Sequence, residues 1–299
     1  DQMRGLSNVF LSALTSGLLY PLLERVRIDR TLDLQIREDY INIYYRGGNL
    51  MKVQKEPQNG FRASFDSGYS GGKKLHPNDD LITLNDVQAW ISAFPEMKNA
   101  MDIYFGNIRA WDERENQQVM IRENNYSSVA NSTDYYICDI EYADSKSGTR
   151  LDAVAAKWIS SGAARKNTED VRLAIIEMKF GDSALKGSCG LFDHVKNVIS
   201  VFGNSGFHYM KNEMLEVFNQ KLELGLISDC KHSLTSFSDQ IPEYIIAVSN
   251  HDPQKTALNS ELNRIRTNFA NQINLPVEIK IAQANKLGYS LYEQNVVPL

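Results

Sequence analysis

VRLAIIEMKF, residues 171–180, combines a run of apolar residues with two charged residues near its end. Side chains of a β-strand alternate between its two faces, so Glu177 and Lys179 share one face. The four apolar residues before Glu177 cover both faces, which is typical of a central strand that is buried on both sides. A charge at the end of such a strand is costly unless it is paired, hydrogen-bonded or bound to a metal.

The composition is that of an ordinary globular protein: 299 residues, 42% apolar and 23% charged. The net charge of −5 argues against broad nonspecific affinity for nucleic acid. The three cysteines, Cys138, Cys189 and Cys230, are odd in number and lack CxxC spacing, which favours neither a disulfide framework nor a zinc site. We therefore expect a reducing, cytoplasmic setting. No apolar stretch reaches the roughly 20 residues that span a membrane, so we expect no membrane segment.

The N-terminal third predicts a helix followed by a β-meander. LSALTSGLLYPLL lies in an amphipathic stretch, residues 6–28, which we interpret as one core-facing helix rather than a signal peptide. TLDLQI, YINIYYR, NLMKVQK and FRASF alternate apolar and polar residues, and Arg46–Asn49 form a glycine-bearing hairpin turn. The glycine-rich residues 66–80 are expected to be a loop.

Two helices are predicted next, one ending near Phe94 and one that Pro95 opens, running from about Glu96 to Glu123. Three- and four-residue steps place one apolar stripe along the second helix. Its members are Met97, Met101, Tyr104, Ile108, Trp111 and Val119. Glu115 lies on the same stripe, and an acid on an inward face is unusual.

The remainder predicts alternating strands and helices. Strands are expected at 134–144, 149–159, 171–180, 243–249 and 277–284, the first two joined by a turn at 145–148. Helices are expected at 190–203, 207–226 and 255–272. The fold class is therefore α/β.

Asp152, in the strand before Glu177, suggests a chemical role for the charged end of the strand. Neighbouring strands lie about 4.8 Å apart, so the two carboxylates can meet if the register allows. Carboxylates that close repel each other unless a cation lies between them, and such oxygen ligands suit Mg²⁺ or Mn²⁺. Lys179 would then orient or deprotonate a water and offset charge on a phosphoryl transition state.

Leu151-Asp152 and Glu177-Met178-Lys179, in the order helix, strand, strand, strand, helix, strand, resemble the core of the PD-(D/E)XK nuclease superfamily. The resemblance covers about 97–250 and departs from the usual motif in having leucine instead of proline at residue 151. It implies a restriction-endonuclease-like core of order αβββαβ within residues 96–299. The helix and β-meander of residues 1–95 form an N-terminal extension.

The resemblance also implies the roles of individual residues. Asp152, Glu177 and the carbonyl of Met178 would hold Mg²⁺, for which Mn²⁺ substitutes, and Lys179 would be the catalytic lysine. The superfamily often adds a glutamate from the first core helix, for which Glu115 is our candidate and Glu123 the alternative. The expected partner is nucleic acid, with DNA as the first candidate. The chain could also form a homodimer.

Other residues are weaker candidates. Asp139 and Glu141 share a strand face and could extend the acidic cluster, although a solvated strand face is the commoner arrangement. His194 could contact a phosphate, but a half-buried helix histidine is the simpler interpretation. The Gly71–Lys74 loop could contact a nucleic-acid backbone but lacks the strand and helix context of a P-loop.

Two alternatives to an active nuclease stay open. A nuclease fold that no longer cuts could bind nucleic acid or a protein partner, which arginines on Asp152 and Glu177 would favour. An unrelated α/β protein could use Glu177 and Lys179 as a structural ion pair, which a large separation between Asp152 and Glu177 would establish.

Overall fold

The computed structural model of the protein describes residues 3–58, 60–108, 111–126, 133–144, 147–187, 190–249, 251, 257–269, 271–283 and 298. Within these ranges the chain is a mixed α/β protein with seven α-helices and two five-stranded sheets. The helices are α1 (Asn8–Thr15), α2 (Tyr20–Ile28), α3 (Leu84–Gly106), α4 (Asp112–Ile121), α5 (Leu191–Ser205), α6 (His208–Glu223) and α7 (Ala257–Phe269). The strands are β1 (Leu32–Ile36), β2 (Tyr40–Tyr45), β3 (Gly48–Lys55), β4 (Phe61–Ser64), β5 (Asp80–Leu81), β6 (Tyr135–Ala143), β7 (Arg150–Lys157), β8 (Arg172–Phe180), β9 (Glu243–Ser249) and β10 (Glu278–Gln283).

The first sheet is the predicted meander, with all four expected strands present. Its strands follow chain order, β1-β2-β3-β4-β5, and every neighbouring pair is antiparallel. Arg46 and Gly47 both have positive φ, 50° and 78°, as the two-residue turn that matches strand twist requires. Only the short edge strand β5 was not expected from the sequence.

The N-terminal helix is broken, contrary to the prediction of one helix over 6–28. α1 ends at Thr15 and α2 begins at Tyr20, with Pro21 in the first turn of α2. Gly17 and Pro21 explain the break, since glycine weakens a helix and proline is favoured in a first turn. In the described part of the chain no single helix could cross a membrane; α1 and α2 together have the length and composition, but they are bent by 63°.

The predicted helix boundary at Pro95 is also wrong. α3 continues through Pro95, and its buried face runs unbroken across it through Trp90, Phe94 and Met97. The apolar contacts of this stripe outweigh the one backbone hydrogen bond that proline removes. The expected division between residues 95 and 96 therefore falls inside a helix.

The helix ends instead at Gly106, where the sequence predicted continuity to Glu123. Asn107 is the C-cap residue of α3, and α4 starts at Asp112. Glycine and asparagine are poor helix formers that are common at helix ends. The break resets the helical phase, so the stripe projected from Met97 does not extend to residues beyond 111.

The second sheet contains the five strands that the sequence predicted, in the order β10-β9-β8-β7-β6. β6, β7 and β8 pair antiparallel, whereas β8, β9 and β10 pair parallel. β8 is central, and its alternate residues belong to two separate hydrophobic cores, one on each face. The expected strand end at 284, parts of the expected helix 255–272, the turn residues 145 and 146, and Cys189 lie outside the described residues.

Buried polar contacts join the first sheet, and the residues before α1, to α6. The Lys221 ammonium donates to Gln35 Oε1 at 2.7 Å, and the Gln35 amide donates to Asp33 at 2.5 Å. The backbone of Leu6 exchanges two hydrogen bonds with the Gln220 side chain, at 2.8 and 2.9 Å. All of these groups are buried, so each depends on its partner for hydrogen bonding.

Candidate active site

The structure brings Asp152 and Glu177 together. β7 and β8 pair antiparallel with Ala153 opposite Ile176, so the next positions along each strand are Asp152 and Glu177. Asp152 Oδ2 accepts a hydrogen bond from the backbone N–H of Met178 at 2.7 Å. The register that the sequence left open therefore places both acids on neighbouring strands at one point of the sheet.

Glu177 is held by a lysine and a histidine side chain. It is 1% exposed, and its Oε1 lies 2.7 Å from Lys179 Nζ and 2.9 Å from His194 Nδ1. Burial alone would raise the pKa of Glu177, but the hydrogen bond from His194 and the charge of Lys179 hold it below its usual range. Glu177 is therefore a carboxylate at neutral pH.

Glu177 in turn raises the pKa values of both partners. Burial acts to lower the pKa of Lys179, which is 6% exposed, but the Glu177 charge overrides this and raises it. The hydrogen bond to Glu177 likewise raises the pKa of His194, against the effect of burial. His194, in the first turns of α5, thus joins the cluster by a contact that sequence reasoning did not identify.

Asp152 experiences the opposite electrostatic effect. Burial first, and then the negative charge of Glu177, raise the pKa of Asp152 to about 7. A second carboxylate beside a charged first one is the arrangement that an added cation stabilises. The pair retains its negative charge most readily when a cation binds between the two side chains.

A third acid, Glu113, reaches the same place and was missed by the sequence analysis. It lies in the first turn of α4, and its carboxylate accepts a hydrogen bond from the backbone N–H of Phe180. Burial raises the pKa of Glu113, and the charges of Lys179 and Glu177 act on it with opposite signs. Counting back three and four residues from the buried Asn116 and Gln117 would have found Glu113.

Asp152 and Glu113 accept backbone hydrogen bonds from β8 for the same structural reason. Alternate N–H groups of a strand point to the same neighbour, so those of Met178 and Phe180 point to the side on which β7 lies. Pairing between β7 and β8 ends before both residues. The carboxylates of Asp152 and Glu113 accept the hydrogen bonds that the missing strand would have accepted.

Glu115, the predicted helix ligand, lies elsewhere. Its two carboxylate oxygens accept hydrogen bonds from Arg46 Nε and Nη2, at 2.9 and 3.1 Å. The alternative, Glu123, is exposed and pairs with Arg122 at 3.3 Å. The expectation for Glu115 depended on one unbroken helix from Glu96, and the break before α4 turns Glu113 toward the site instead.

The weaker candidates are used in other contacts. Asp139 is buried against Arg37 and lies 3.4 Å from Arg4. Glu141 pairs with Arg114 at 3.3 Å and accepts a hydrogen bond from the Tyr44 hydroxyl. The exposed Gly71–Lys74 loop follows a single 3₁₀ turn, Ser67–Ser70, beside the first sheet.

Arginines do not occupy the acid pair in the described contacts. Arg172, at the far end of β8, pairs with Glu243 and Glu278 at 3.3 and 2.7 Å. Lys157 and Lys280 also contact Glu243, so this separate cluster is satisfied within itself. The arginine contacts that would mark an inactivated site are thus absent from Asp152 and Glu177 in the described residues.

The donor set has the chemistry of a magnesium site but is not arranged as one. Asp152, Glu177, Glu113 and the Met178 carbonyl offer hard oxygen ligands. Among the described residues, no group of three or more histidine, cysteine, aspartate or glutamate side chains is positioned to hold a metal ion. Lys179 and His194 already contact Glu177 Oε1, so a bound ion would share this carboxylate with them.

Comparisons of the chain with protein-family models, with curated proteins and with solved structures gave no match.

Proposed function

We propose that the chain is a Mg²⁺-dependent nuclease that hydrolyses phosphodiester bonds in DNA on a restriction-endonuclease-like core. The order α4, β6, β7, β8, α5, α6, β9 follows the αβββαβ order of that core, with α6 as an addition. The observation that carries the proposal is the cluster at the end of β8. There Asp152, Glu177 and Glu113 meet the ammonium of Lys179 in a mostly buried position.

Each residue has a role in this proposal. Asp152, Glu177, the Met178 carbonyl and Glu113 would hold the ion. A bound Mg²⁺ would supply a Lewis acid and an activated water. Lys179 remains protonated beside Glu177, so it donates to the attacking water or to a phosphoryl oxygen and offsets the charge that develops there.

The deciding experiment separates cleavage from metal binding. Mn²⁺ binding is measured as a rise in melting temperature, since a ligand that binds only the folded chain stabilises it. Cleavage is measured on supercoiled plasmid and on single-stranded DNA with Mg²⁺. The variants are Glu177→Ala and Lys179→Ala, and Lys231→Ala, which alters an exposed loop lysine, is the matched control.

Lys179→Ala should abolish cleavage and retain the Mn²⁺ shift, whereas Glu177→Ala should lose both. Lys231→Ala should behave as the parent. Cleavage that survives Lys179→Ala would refute the catalytic role of that lysine. An equal Mn²⁺ shift in the parent and Glu177→Ala would refute the metal site.

A second candidate function is a nuclease fold that binds nucleic acid or a protein without cutting. The observation that favours it is that each acid already has a partner within the chain: Asp152 accepts from Met178, Glu113 from Phe180, and Glu177 contacts Lys179. This alternative predicts neither a Mn²⁺ shift nor cleavage. The same set of measurements therefore distinguishes the two functions.

A further inference from the structure

The first turn of α4, which carries Glu113, is held from outside the helix. In the described residues no side chain caps the N-terminus of α4, where Trp111 is the cap residue. The first backbone N–H groups of a helix have no partner within the helix, so an uncapped first turn frays unless something else fixes it. One element that contacts this turn is the β2–β3 hairpin.

Arg46, at the tip of that hairpin, makes the most contacts. Its guanidinium donates to both Glu115 oxygens, at 2.9 and 3.1 Å, and to Asp102 Oδ1 at 2.8 Å. Its carbonyl accepts a hydrogen bond from Trp111 Nε1 at 2.6 Å. A two-point arginine–carboxylate contact fixes orientation as well as distance. Arg46 therefore contacts α4 at its cap residue, Trp111, and again one turn later at Glu115.

Gly47 brings the hairpin backbone into direct contact with α4. Its N–H donates to Gln118 Oε1 at 2.6 Å. A Cβ at this position would lie 2.4 Å from the Arg114 carbonyl oxygen. The hairpin thus touches α4 at successive turns on the side away from β8, while Glu113 reaches β8 at Phe180.

We propose that Arg46 is a positioning residue for the candidate active site: through Glu115 and Trp111 it fixes the first turn of α4 and so holds the Glu113 carboxylate at the end of β8. Glu115, expected from the sequence to bind metal, is the anchor of this contact. The metal-binding part of the inference rests on the proposed function. The positioning of Glu113 does not, because its hydrogen bond to Phe180 exists without a metal.

Two measurements test the inference on the full chain. Hydrogen exchange at the Phe180 amide reports directly on the Glu113 contact, and Mn²⁺ affinity from calorimetric titration reports on the metal site. The variants are Arg46→Ala, Arg46→Lys, Glu113→Gln and the double variant Arg46→Ala/Glu113→Gln. Arg62→Ala, which removes an exposed arginine of the same sheet, is the matched control.

Arg46→Ala should speed Phe180 exchange about tenfold, the effect of losing a charged hydrogen bond. It should weaken Mn²⁺ binding about tenfold, as loss of a supporting contact to a metal ligand does. Arg46→Lys keeps the charge but loses the two-point contact, so its Phe180 exchange rate and Mn²⁺ affinity should lie between those of the parent and Arg46→Ala. This variant also provides the test if Arg46→Ala does not fold. In the Glu113→Gln background, Arg46→Ala should change Mn²⁺ affinity less than about twofold, because its effect acts through Glu113.

Unchanged Phe180 exchange in both Arg46 variants would overturn the inference, even if Mn²⁺ affinity fell. Equal weakening of Mn²⁺ binding in the parent and Glu113→Gln backgrounds would overturn it as well, because the effect would then bypass Glu113. If the parent binds no Mn²⁺, or Glu177→Ala binds it equally well, the proposed metal site is refuted, and so is the inferred effect of Arg46 on metal binding. The Phe180 exchange rate then decides alone whether Arg46 positions Glu113.

Discussion

Gly47→Ala is expected to destabilise the protein by about 3 kcal/mol because the new methyl group meets α4. The methyl carbon would lie 2.4 Å from the Arg114 carbonyl oxygen, and the φ of 78° is a left-handed conformation. That conformation costs an L-residue roughly 1–2 kcal/mol. Moving the hairpin away would also break the bonds from Gly47 N–H to Gln118 and from Trp111 to the Arg46 carbonyl, each worth about 1 kcal/mol.

Gly71→Ala is the matched control for this substitution. Gly71 has a φ of 63°, but a Cβ there meets nothing within 4 Å. It should therefore cost only the conformational strain, about 1 kcal/mol. Free energies of unfolding from guanidinium titration give both values. If the two variants lost equal stability, the contact between hairpin and α4 would contribute nothing, and the reasoning would be refuted.

Two further substitutions test the electrostatics by their dependence on pH. Burial and Glu177 raise the pKa of Asp152 to about 7, so its ionisation increasingly destabilises the fold as pH rises from about 4 to 7. Asp152→Asn can still accept the hydrogen bond from Met178. By denaturant titration it should be about 1–3 kcal/mol more stable than the parent at pH 8 and no more stable at pH 4. An equal stability difference at both pH values would contradict this. Although burial opposes it, hydrogen bonds from Lys157 and Lys280 hold the pKa of Glu243 at about 2, so its stabilisation is present above pH 4.5 and lost as pH falls. Glu243→Gln should lower stability by about 2 kcal/mol at pH 7, with the difference shrinking toward pH 3; a constant difference over that range would count against the assignment.

The second sheet could be predicted from the sequence because its strands are distinct in composition. β8 is apolar on both faces until Glu177, and a strand buried on both sides has no other pattern. Asp152 could be proposed because it lies near the start of a neighbouring strand. Its register with Glu177 could not be read from the chain, since it depends on where β7 and β8 begin to pair.

The choice between Glu113 and Glu115 could not be made from periodicity alone. Helical phase is counted from a fixed start, and the break between Gly106 and Asp112 moves that start. One residue of phase error turns a side chain by about 100°, enough to exchange an inward for an outward position. The interruption at Pro95, which the sequence marks more strongly, does not occur, since the buried stripe continues across it.

The partners of the charged residues were equally inaccessible to sequence reasoning. His194 reaches Glu177 because α5 packs beside the end of β8, and Arg46 reaches Glu115 across 69 residues of chain. Local patterns record which side chains are turned inward, but not which distant charge meets them. The strand pattern singled out Asp152, Glu177 and Lys179 and the resemblance implied their roles, but the supporting residues came only from the fold.

The buried contact between Gln35 and Lys221 bears on how the protein folds as it is synthesised. These residues are 186 positions apart, so β1 emerges from the ribosome long before its partner on α6 exists. At 5–20 residues per second the delay is roughly 10–40 s. Throughout that interval Gln35 Oε1 lacks its Lys221 partner, so this buried hydrogen bond forms only after residue 221 has been synthesised.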